Sequence, residues 1–598
     1  MCGIFSIYSK EDIKPNSFIN SLKELEYRGY DSAGVAFFQE DNIKILKTTL
    51  KIKDLESKLK NNLKTSLIMG HTRWATHGSP SIKNCHPHEY KNIVLVHNGI
   101  VENYDELKRH KAIQRNKFKS DTDTEVLAHL ISYYLEREGS LVKSVAKVGE
   151  IIKGSNAFLC LDKKDPKLIV AYKNKTPLYL GIKDNGEFLF SSDINAMKND
   201  LNKYYFLNDE ELVEINNHRI RCFNRKMKVK KMMMVPYTLS VVKKKKKLET
   251  EGLITYDEIN SQKFLIPKVL NAFDMIKKQI KTIKNFSEIA IIGCGSSFNA
   301  SMLGKHYFEQ ISGIPTTIYR PSEFVFFKKN NKNTLYIFMS QSGETADTCD
   351  LLETNADYFK NSLSIVNQPD SRLVRNTRLS LNLDLGIEKG VAATKTFTGQ
   401  LIYLYSLAMI FSGKRNKKPS NLIKFNKHYL KIFSLQRKIA NIAKKFYRSK
   451  NFFILGRNYH YPIALEASLK IKEIAYIHAE ASLSSEMKHG PIALLDKNFP
   501  IIFLISDNQD SILKEITNLY EAKSRSNRII LLATSNAIQK LDKNFLKEIS
   551  LIEIPNVEED LLPILFTVPL QYFAYHLAKL NNLSVDQPRN LAKVVTVA

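Results

Sequence analysis

Apolar residues recur along this chain in two different rhythms. Residues 4–8, 34–38 and 43–48 read as strands, the last two joined by the polar turn Glu40-Asp41-Asn42. Phe18, Leu22 and Leu25 recur at helical spacing and predict an amphipathic helix ending near Arg28-Gly29. Two further apolar runs, 67–70 and 93–96, each lead into a polar cluster, His71 through Gly78 and His97-Asn98-Gly99. Sites are commonly built from polar residues at strand ends. Asp121-Thr122-Asp123-Thr124 precedes Val126, Leu127, Leu130 and Ile131 and predicts a helix N-terminus, followed by a helix over 141–152 and short strands at 157–161, 168–172, 178–181 and 188–191. Strands, then helices, then strands again predict an α+β layered sandwich ending near residue 235.

From residue 289 the rhythm changes. Strands at 289–292 and 334–338 run into Gly293-Cys294-Gly295-Ser296-Ser297 and Ser340-Gln341-Ser342-Gly343-Glu344-Thr345, and each turn opens a helix. This is the order of a parallel α/β fold with ligands at the carboxyl ends of its strands. A second copy begins at 452–456 and continues with a helix over 462–476 and a strand over 501–505. The reading is two related α/β lobes, 275–425 and 440–580, a tail over 581–598, and a basic linker over 236–270 that joins them to the sandwich. The apolar stretch 561–577 contains Pro563, Pro569, Gln571 and His576 and reads as buried helix and turn, not as a membrane span.

Composition narrows the function classes. The chain has 598 residues, enough for three or four domains, and its 43% apolar content is that of a soluble globular protein. The net charge of +28 invites a nucleic-acid reading, but the lysines are spread along the whole chain and the one dense run, 243–247, lies in the linker. Solvated faces account for the charge, and no nucleic-acid or membrane partner is expected. Six cysteines (Cys2, Cys85, Cys160, Cys222, Cys294, Cys349) form no Cys-x-x-Cys pair. With no secretory segment read at the start, a reducing, cytoplasmic setting is expected.

Two stretches carry chemistry. If Met1 is removed, Cys2 holds a thiol and a free α-amine on one residue. Their ordinary pKa values, about 8.5 and about 7.7–8.0, let the amine accept the thiol proton near neutrality. The Ser340 to Thr345 turn offers three hydroxyls, a side-chain amide and a glycine-loosened backbone at a helix start, a cradle for phosphate. It lacks the Gly-Lys-Ser/Thr of a P-loop.

These residues resemble the glutamine:fructose-6-phosphate amidotransferase family from Cys2 to the C-terminus. The motifs are Cys2-Gly3-Ile4, the run Tyr27-Arg28-Gly29-Tyr30-Asp31-Ser32-Ala33-Gly34, His71 through Gly78, His97-Asn98-Gly99, and Ser340 through Thr345. Lys472-Glu473-Ile474, Lys488-His489-Gly490-Pro491 and Asp586-Gln587-Pro588-Arg589-Asn590-Leu591-Ala592-Lys593 complete the set. The resemblance implies an N-terminal-nucleophile (Ntn) hydrolase sandwich over 2–235 acting as glutaminase, followed by two sugar isomerase (SIS) lobes, the tail completing the isomerase site. Cys2 would attack the glutamine amide, with Asn98 and Gly99 as oxyanion hole. Arg73 would hold the substrate carboxylate and Asp123 its ammonium, with Thr76 and His77 lining the pocket. Trp74, with Arg28 and Tyr30, would gate an ammonia path to the second site. There Ser297, Ser340, Gln341, Ser342, Thr345, Val391 and Ala592 would hold fructose 6-phosphate. Lys593 would form a Schiff base, Glu473 would move the proton between C1 and C2 with Lys470 on the same helical face, and His489 would assist ring opening from a neighbouring subunit, implying a homodimer. The implied product is glucosamine 6-phosphate, entering hexosamine synthesis, with no metal or organic cofactor.

Two alternatives are distinguishable. A phosphoribosyl-type amidotransferase shares only the first domain and needs a pyrophosphate-binding acceptor domain. A non-enzymatic sugar-phosphate sensor leaves Cys2, Glu473 and Lys593 without purpose. The chain departs from the family pattern at residues 260–266, at Ala393 and at Ser484-Ser485, which bears on domain coupling and sugar affinity and not on bond-making residues.

Overall fold

The structure is a computed structural model, described here for residues 2–40, 42–59, 63–75, 77–199, 201–237, 254–283, 285–326, 333–413 and 420–595. Met1, Asp41, Thr76 and the lysine run 243–247 lie outside the described residues. The chain divides into two compact units, one of residues 1–247 with 592–598 and one of residues 248–591.

In the first unit an eight-stranded and a seven-stranded sheet face each other. The strand Gly3–Tyr8 lies inside the first sheet, between Phe188–Ser191 and Leu67–Arg73, and Ile93–Gly99 pairs with Asn156–Asp162 in the second. Alternate side chains serve different layers, as strand geometry requires. Ile4 joins Val94, Val96 and Leu159 in the core between the sheets. Phe5 and Ile7 pack outward with Phe18 and Leu22 of helix Pro15–Lys23. Ile93 and Leu95 point the other way, towards Val126 and Leu130 of helix Glu125–Glu138 and Val145 of helix Leu141–Ile151. Because both faces of these strands are buried, the runs read as nearly continuous apolar stretches with weak alternation.

The two polar clusters expected beyond strand ends lie partly within the strands. Leu67–Arg73 takes in His71, Thr72 and Arg73, and Ile93–Gly99 takes in His97, Asn98 and Gly99. Backbone pairing holds these residues in extended form irrespective of their polarity.

The second unit contains two five-stranded parallel sheets. In the first the spatial order is Thr316–Tyr319, Glu288–Gly293, Thr334–Met339, Ser362–Val366, Leu379–Asn382. In the second it is His478–Leu483, Asn451–Gly456, Ile501–Ile505, Ile529–Thr534, Ser550–Ile554. Each follows the order 2-1-3-4-5 in its own chain sequence, so the two lobes are copies of one doubly wound plan. Helix Leu562–Leu580 is buried around nearly its whole circumference despite Pro569. Among the described residues no helix is long and apolar enough to cross a membrane.

Two further expectations change. Residues 254–270, read as linker, belong to helices Ile254–Ser261 and Leu265–Ile280, and Ile259, Leu265, Ile266 and Val269 enter the second unit's core. Their helical apolar spacing outweighs the basic composition around them. The helix expected over 462–476 is an α-helix only over Tyr461–Lys470, continues as a wider π-turn over Ile471–Ala475, and stops at Tyr476 with φ +55°.

Candidate active sites

In the first unit Cys2 sits half-buried just before its strand. The Trp74 N–H donates to the Cys2 sulfur at 3.3 Å, and the thiol lies 3.5 Å from the Trp74 carbonyl oxygen. The Cys2 carbonyl accepts from Arg28 Nε at 3.2 Å and from Asn98 Nδ2 at 3.1 Å. Burial pushes the Cys2 thiol pKa up; the chain's amino terminus, the Trp74 N–H and the Arg73 guanidinium oppose that rise, and Asp123 adds to it.

Sheet register gathers the remaining groups. Arg73 ends the strand Leu67–Arg73, donates to the carbonyls of His77 and, at 3.2 Å, Gly78, and keeps a buried Nη1 with no hydrogen-bond partner among the described residues. Asp123 does not cap helix Glu125–Glu138; its carboxylate accepts from the Val101 N–H at 2.8 Å. His77 packs edge-on against Tyr104 at 5.2 Å. Trp74 is half-buried and lies edge-to-face with Tyr30 at 5.6 Å. Arg28 is 3.8 Å from Asp193, whose other bonds include the Tyr27 hydroxyl. Gly99 has φ +127°, and a Cβ there would stand 1.8 Å from the Ser155 carbonyl oxygen, so glycine is required. Thr76 lies outside the described residues.

Sequence reasoning missed a histidine layer behind this site. The His97 ring bonds Thr124 Oγ1 at 2.9 Å and Asn156 Oδ1 at 3.0 Å, its carbonyl bonds His71 Nε2 at 2.9 Å, and its N–H donates to His86 Nδ1 at 3.2 Å. His97 thus ties the strand bearing Asn98 to the residue beside Asp123. Burial holds the pKa values of His71, His86 and His97 below the ordinary range and that of His88 at about 3. The only sequence signal was the density of histidines around 71–97.

In the second unit two turns end neighbouring parallel strands, Glu288–Gly293 and Thr334–Met339. Ser340 Oγ accepts the Gly343 N–H at 3.0 Å and lies 3.1 Å from Thr345 Oγ1, while Ser342 Oγ accepts the Glu344 N–H at 3.1 Å. The turn closes on itself immediately before helix Ala346–Thr354, whose N-terminal end favours negative charge. The Gln341 carbonyl accepts from the Asn367 N–H at 3.0 Å. Ser297 Oγ accepts from Gln400 at 3.0 Å.

Lys470 is buried between Glu466, at 3.3 Å, and Glu473, and donates to Ser296 Oγ at 3.2 Å. Burial alone would lower the Lys470 pKa, but the two carboxylates hold it above the ordinary lysine value. Glu466 also accepts from Ser296 Oγ and Asn299 Nδ2, each at 2.8 Å, and burial pushes its carboxyl pKa up. Glu466 was not singled out from sequence, although its i,i+4 spacing to Lys470 was there to be read.

A brace connects this region to the start of the unit. Glu258 accepts the N–H groups of Lys389 and Gly390, Asp586 accepts from Thr255 N and Oγ1 at 2.8 Å, and the Asp586 carbonyl accepts the Val391 N–H at 3.1 Å. Further along the tail the Arg589 guanidinium lies 4.5 Å from the Tyr476 ring, three residues past Glu473. His489 is exposed on the turn Glu486–His489 and, among the described residues, makes no hydrogen bond or ion pair with Glu473 or Lys470. Ala592 and Lys593, half-exposed, are counted with the first unit.

Comparison with known proteins supports this division. A glutamine amidotransferase domain model matches residues 73–199, and a SIS domain model matches residues 282–410 and 445–580. A glutamine--fructose-6-phosphate aminotransferase (isomerizing) of Aquifex aeolicus is 37% identical over 612 residues, covering 100% of both chains. The Escherichia coli K12 protein of that name is 34% identical over 615 residues, again covering 100% of both. A solved C-terminal domain of glucosamine-fructose-6-phosphate aminotransferase from Francisella tularensis covers 56% of this chain and 98% of its own length, with TM-score 0.51 and 31% identity. Tagatose-6-phosphate ketose/aldose isomerase from Escherichia coli, 16% identical with TM-score 0.50 over 57% of this chain and 96% of its own, shares the fold of the second unit. With full-length relatives at this identity, the chain belongs to the family of glutamine--fructose-6-phosphate aminotransferases (isomerizing).

Proposed function

We propose that the chain converts L-glutamine and D-fructose 6-phosphate to L-glutamate and D-glucosamine 6-phosphate. The reading rests on one observation: a half-buried Cys2 in contact with Trp74, Arg28 and Asn98 shares a chain with a serine-lined turn and the buried Glu466–Lys470–Glu473 cluster.

Once Met1 is removed, the Cys2 amine takes the thiol proton and the sulfur attacks the glutamine side-chain carbonyl. Asn98 and the Gly99 N–H stabilise the oxyanion, while Arg73 and Asp123 grip the substrate's carboxylate and ammonium, with Thr76 and His77 around them. Collapse expels ammonia and leaves a thioester. Water hydrolyses it to glutamate and frees Cys2. Ammonia passes a gate of Trp74, Arg28 and Tyr30; a dry path keeps it unprotonated and nucleophilic.

At the other site Ser297, Ser340, Gln341, Ser342 and Thr345 hold the phosphate and sugar, with Val391 and Ala592 closing on them. His489 of a second copy assists ring opening, which makes the active form a homodimer. Lys593 forms a Schiff base at C2, ammonia displaces it to give the imine, and Glu473 takes a proton from C1 and returns one to C2. Lys470, held charged by two carboxylates, fixes Glu473 in place. No step requires a metal or organic cofactor. The product feeds cytoplasmic hexosamine synthesis.

Product analysis after mixing the protein with glutamine and fructose 6-phosphate tests the reading. Cys2→Ala should abolish ammonia release from glutamine, and Lys593→Ala should abolish glucosamine 6-phosphate while sparing glutaminase turnover. Retention of either activity in its variant overturns the corresponding role.

A further inference from the structure

A cleft of about 630 Å³ opens at the amino-terminal edge of the second parallel sheet, where Asn451, Pro500 and Arg528 stand at or just before the starts of three neighbouring strands. Ligands of doubly wound sheets sit at the opposite, carboxyl edge, so this cleft belongs to neither site described above. Five cations line it, Lys444, Lys445, Arg448, Lys450 and Arg528, against one carboxylate, Asp496.

Three features suit the cleft to an anion. Among the described residues none of the five cations is paired with a carboxylate, so within the cleft only Asp496 offsets their charge. Arg528 is already fixed: its guanidinium lies 4.7 Å from the Phe446 ring and donates to the Lys445 carbonyl at 2.7 Å and to Ser449 Oγ at 3.2 Å. A pre-ordered fork loses little entropy on binding an anion. The remaining polar lining, Ser449, Asn451, Asn498 and Tyr447, adds hydrogen-bond donors.

We propose that this cleft is a second anion site, for a small molecule carrying two or more phosphates. One phosphate brings about −1.5 to −2 charges and leaves the cations largely uncompensated, whereas a di- or triphosphate matches their excess. The volume lies in the range of small-molecule pockets, about 300–1,000 Å³. Single-stranded nucleic acid is disfavoured because the lining rings, Tyr447 and Phe499, are both partly buried and offer no open stacking platform. The proposal stands independently of the reaction assigned to the chain.

Titration calorimetry of the full chain with tripolyphosphate tests it, in excess fructose 6-phosphate so that the serine-rich turn is filled. Saturable binding at one site per chain is expected. The triple change Lys444→Ala, Lys445→Ala, Arg448→Ala removes exposed side chains and should weaken binding about tenfold or more. Lys540→Ala, Lys543→Ala, Lys547→Ala removes three charges from another exposed surface of the same lobe and should leave binding within about twofold. The proposal fails if no saturable binding is seen, if both triple variants lose affinity alike, or if a short single-stranded RNA binds the cleft more tightly than tripolyphosphate.

Discussion

Replacing Gly99 with alanine tests the oxyanion hole at its tightest point. The new Cβ would lie 1.8 Å from the Ser155 carbonyl oxygen, and ordinary contact begins near 3.4 Å, so the two backbones must separate by about 1.6 Å. They are not free to do so. Gly99 pairs with Asn156 across the sheet, and the next residue, Ile100, donates to that same Ser155 oxygen at 2.9 Å. Positive φ adds about 1–3 kcal/mol of strain for a residue with a side chain. Some of the displacement must therefore fall on the Gly99 N–H, the donor assigned to the oxyanion. Losing one such donor costs about 2.7–4 kcal/mol, a hundred- to a thousandfold in turnover. The assay is glutamate release from glutamine, normalised to the folded fraction by calorimetry so that lost stability is not counted as lost chemistry. Glutaminase turnover of Gly99→Ala within about threefold of the parent would refute the assignment.

Gly343→Ala places a Cβ 1.9 Å from Ser371 Oγ at φ +65° and should raise KM for fructose 6-phosphate at least tenfold while glutamine hydrolysis is unchanged; kinetics with each substrate check it. Glu258→Ala leaves the Lys389 and Gly390 N–H groups without their acceptor and should raise the same KM several-fold, with Glu258→Gln partly restoring it. Each unit carries buried groups whose titration calorimetry can read. His71, His86, His88 and His97 have lowered pKa values, so their contribution is present above the unfolded value near 6.5 and is lost as pH falls towards about 3, weakening the first unit in acid. Glu515 is nearly fully buried and burial pushes its pKa up to about 8, so its contribution is full below the unfolded value near 4.3 and is lost as pH rises to about 8. Glu515→Gln should flatten the alkaline decline of the second unit, and an unchanged decline would discard this source.

Much of this architecture was legible because the sequence changes period where the fold changes plan. Alternation and helical spacing around 4–25 announce a sandwich, and the repeated strand, serine- or glycine-rich turn and helix announce parallel lobes. What escaped was mostly polarity that burial explains. Arg73 and Asn98 lie within paired strands, where a polar residue is a poor strand signal unless its partners are known. Glu466 looks like half of a surface pair until Ser296 and Asn299, 170 and 167 residues earlier in the chain, are seen to enclose it. Glu258 sits in a segment whose basic surroundings suggest a linker, and its acceptor role depends on N–H groups about 130 residues downstream. Such long-range bonds leave no local pattern.

The identical 2-1-3-4-5 order of the two parallel sheets has a consequence for stoichiometry. After its third strand the first lobe carries Ser340-Gln341-Ser342-Gly343-Glu344-Thr345, and at the corresponding place the second carries Ser506-Asp507-Asn508-Gln509-Asp510-Ser511. Asp507 spends its carboxylate on Thr534 Oγ1 at 3.2 Å and Asn536 Nδ2 at 2.9 Å, and two acidic side chains at that turn repel a phosphate. Duplicated scaffolds here do not mean duplicated sites: a titration should count one sugar phosphate per chain at these strand ends, the second lobe supplying the Glu466–Lys470–Glu473 cluster in place of a second phosphate cradle.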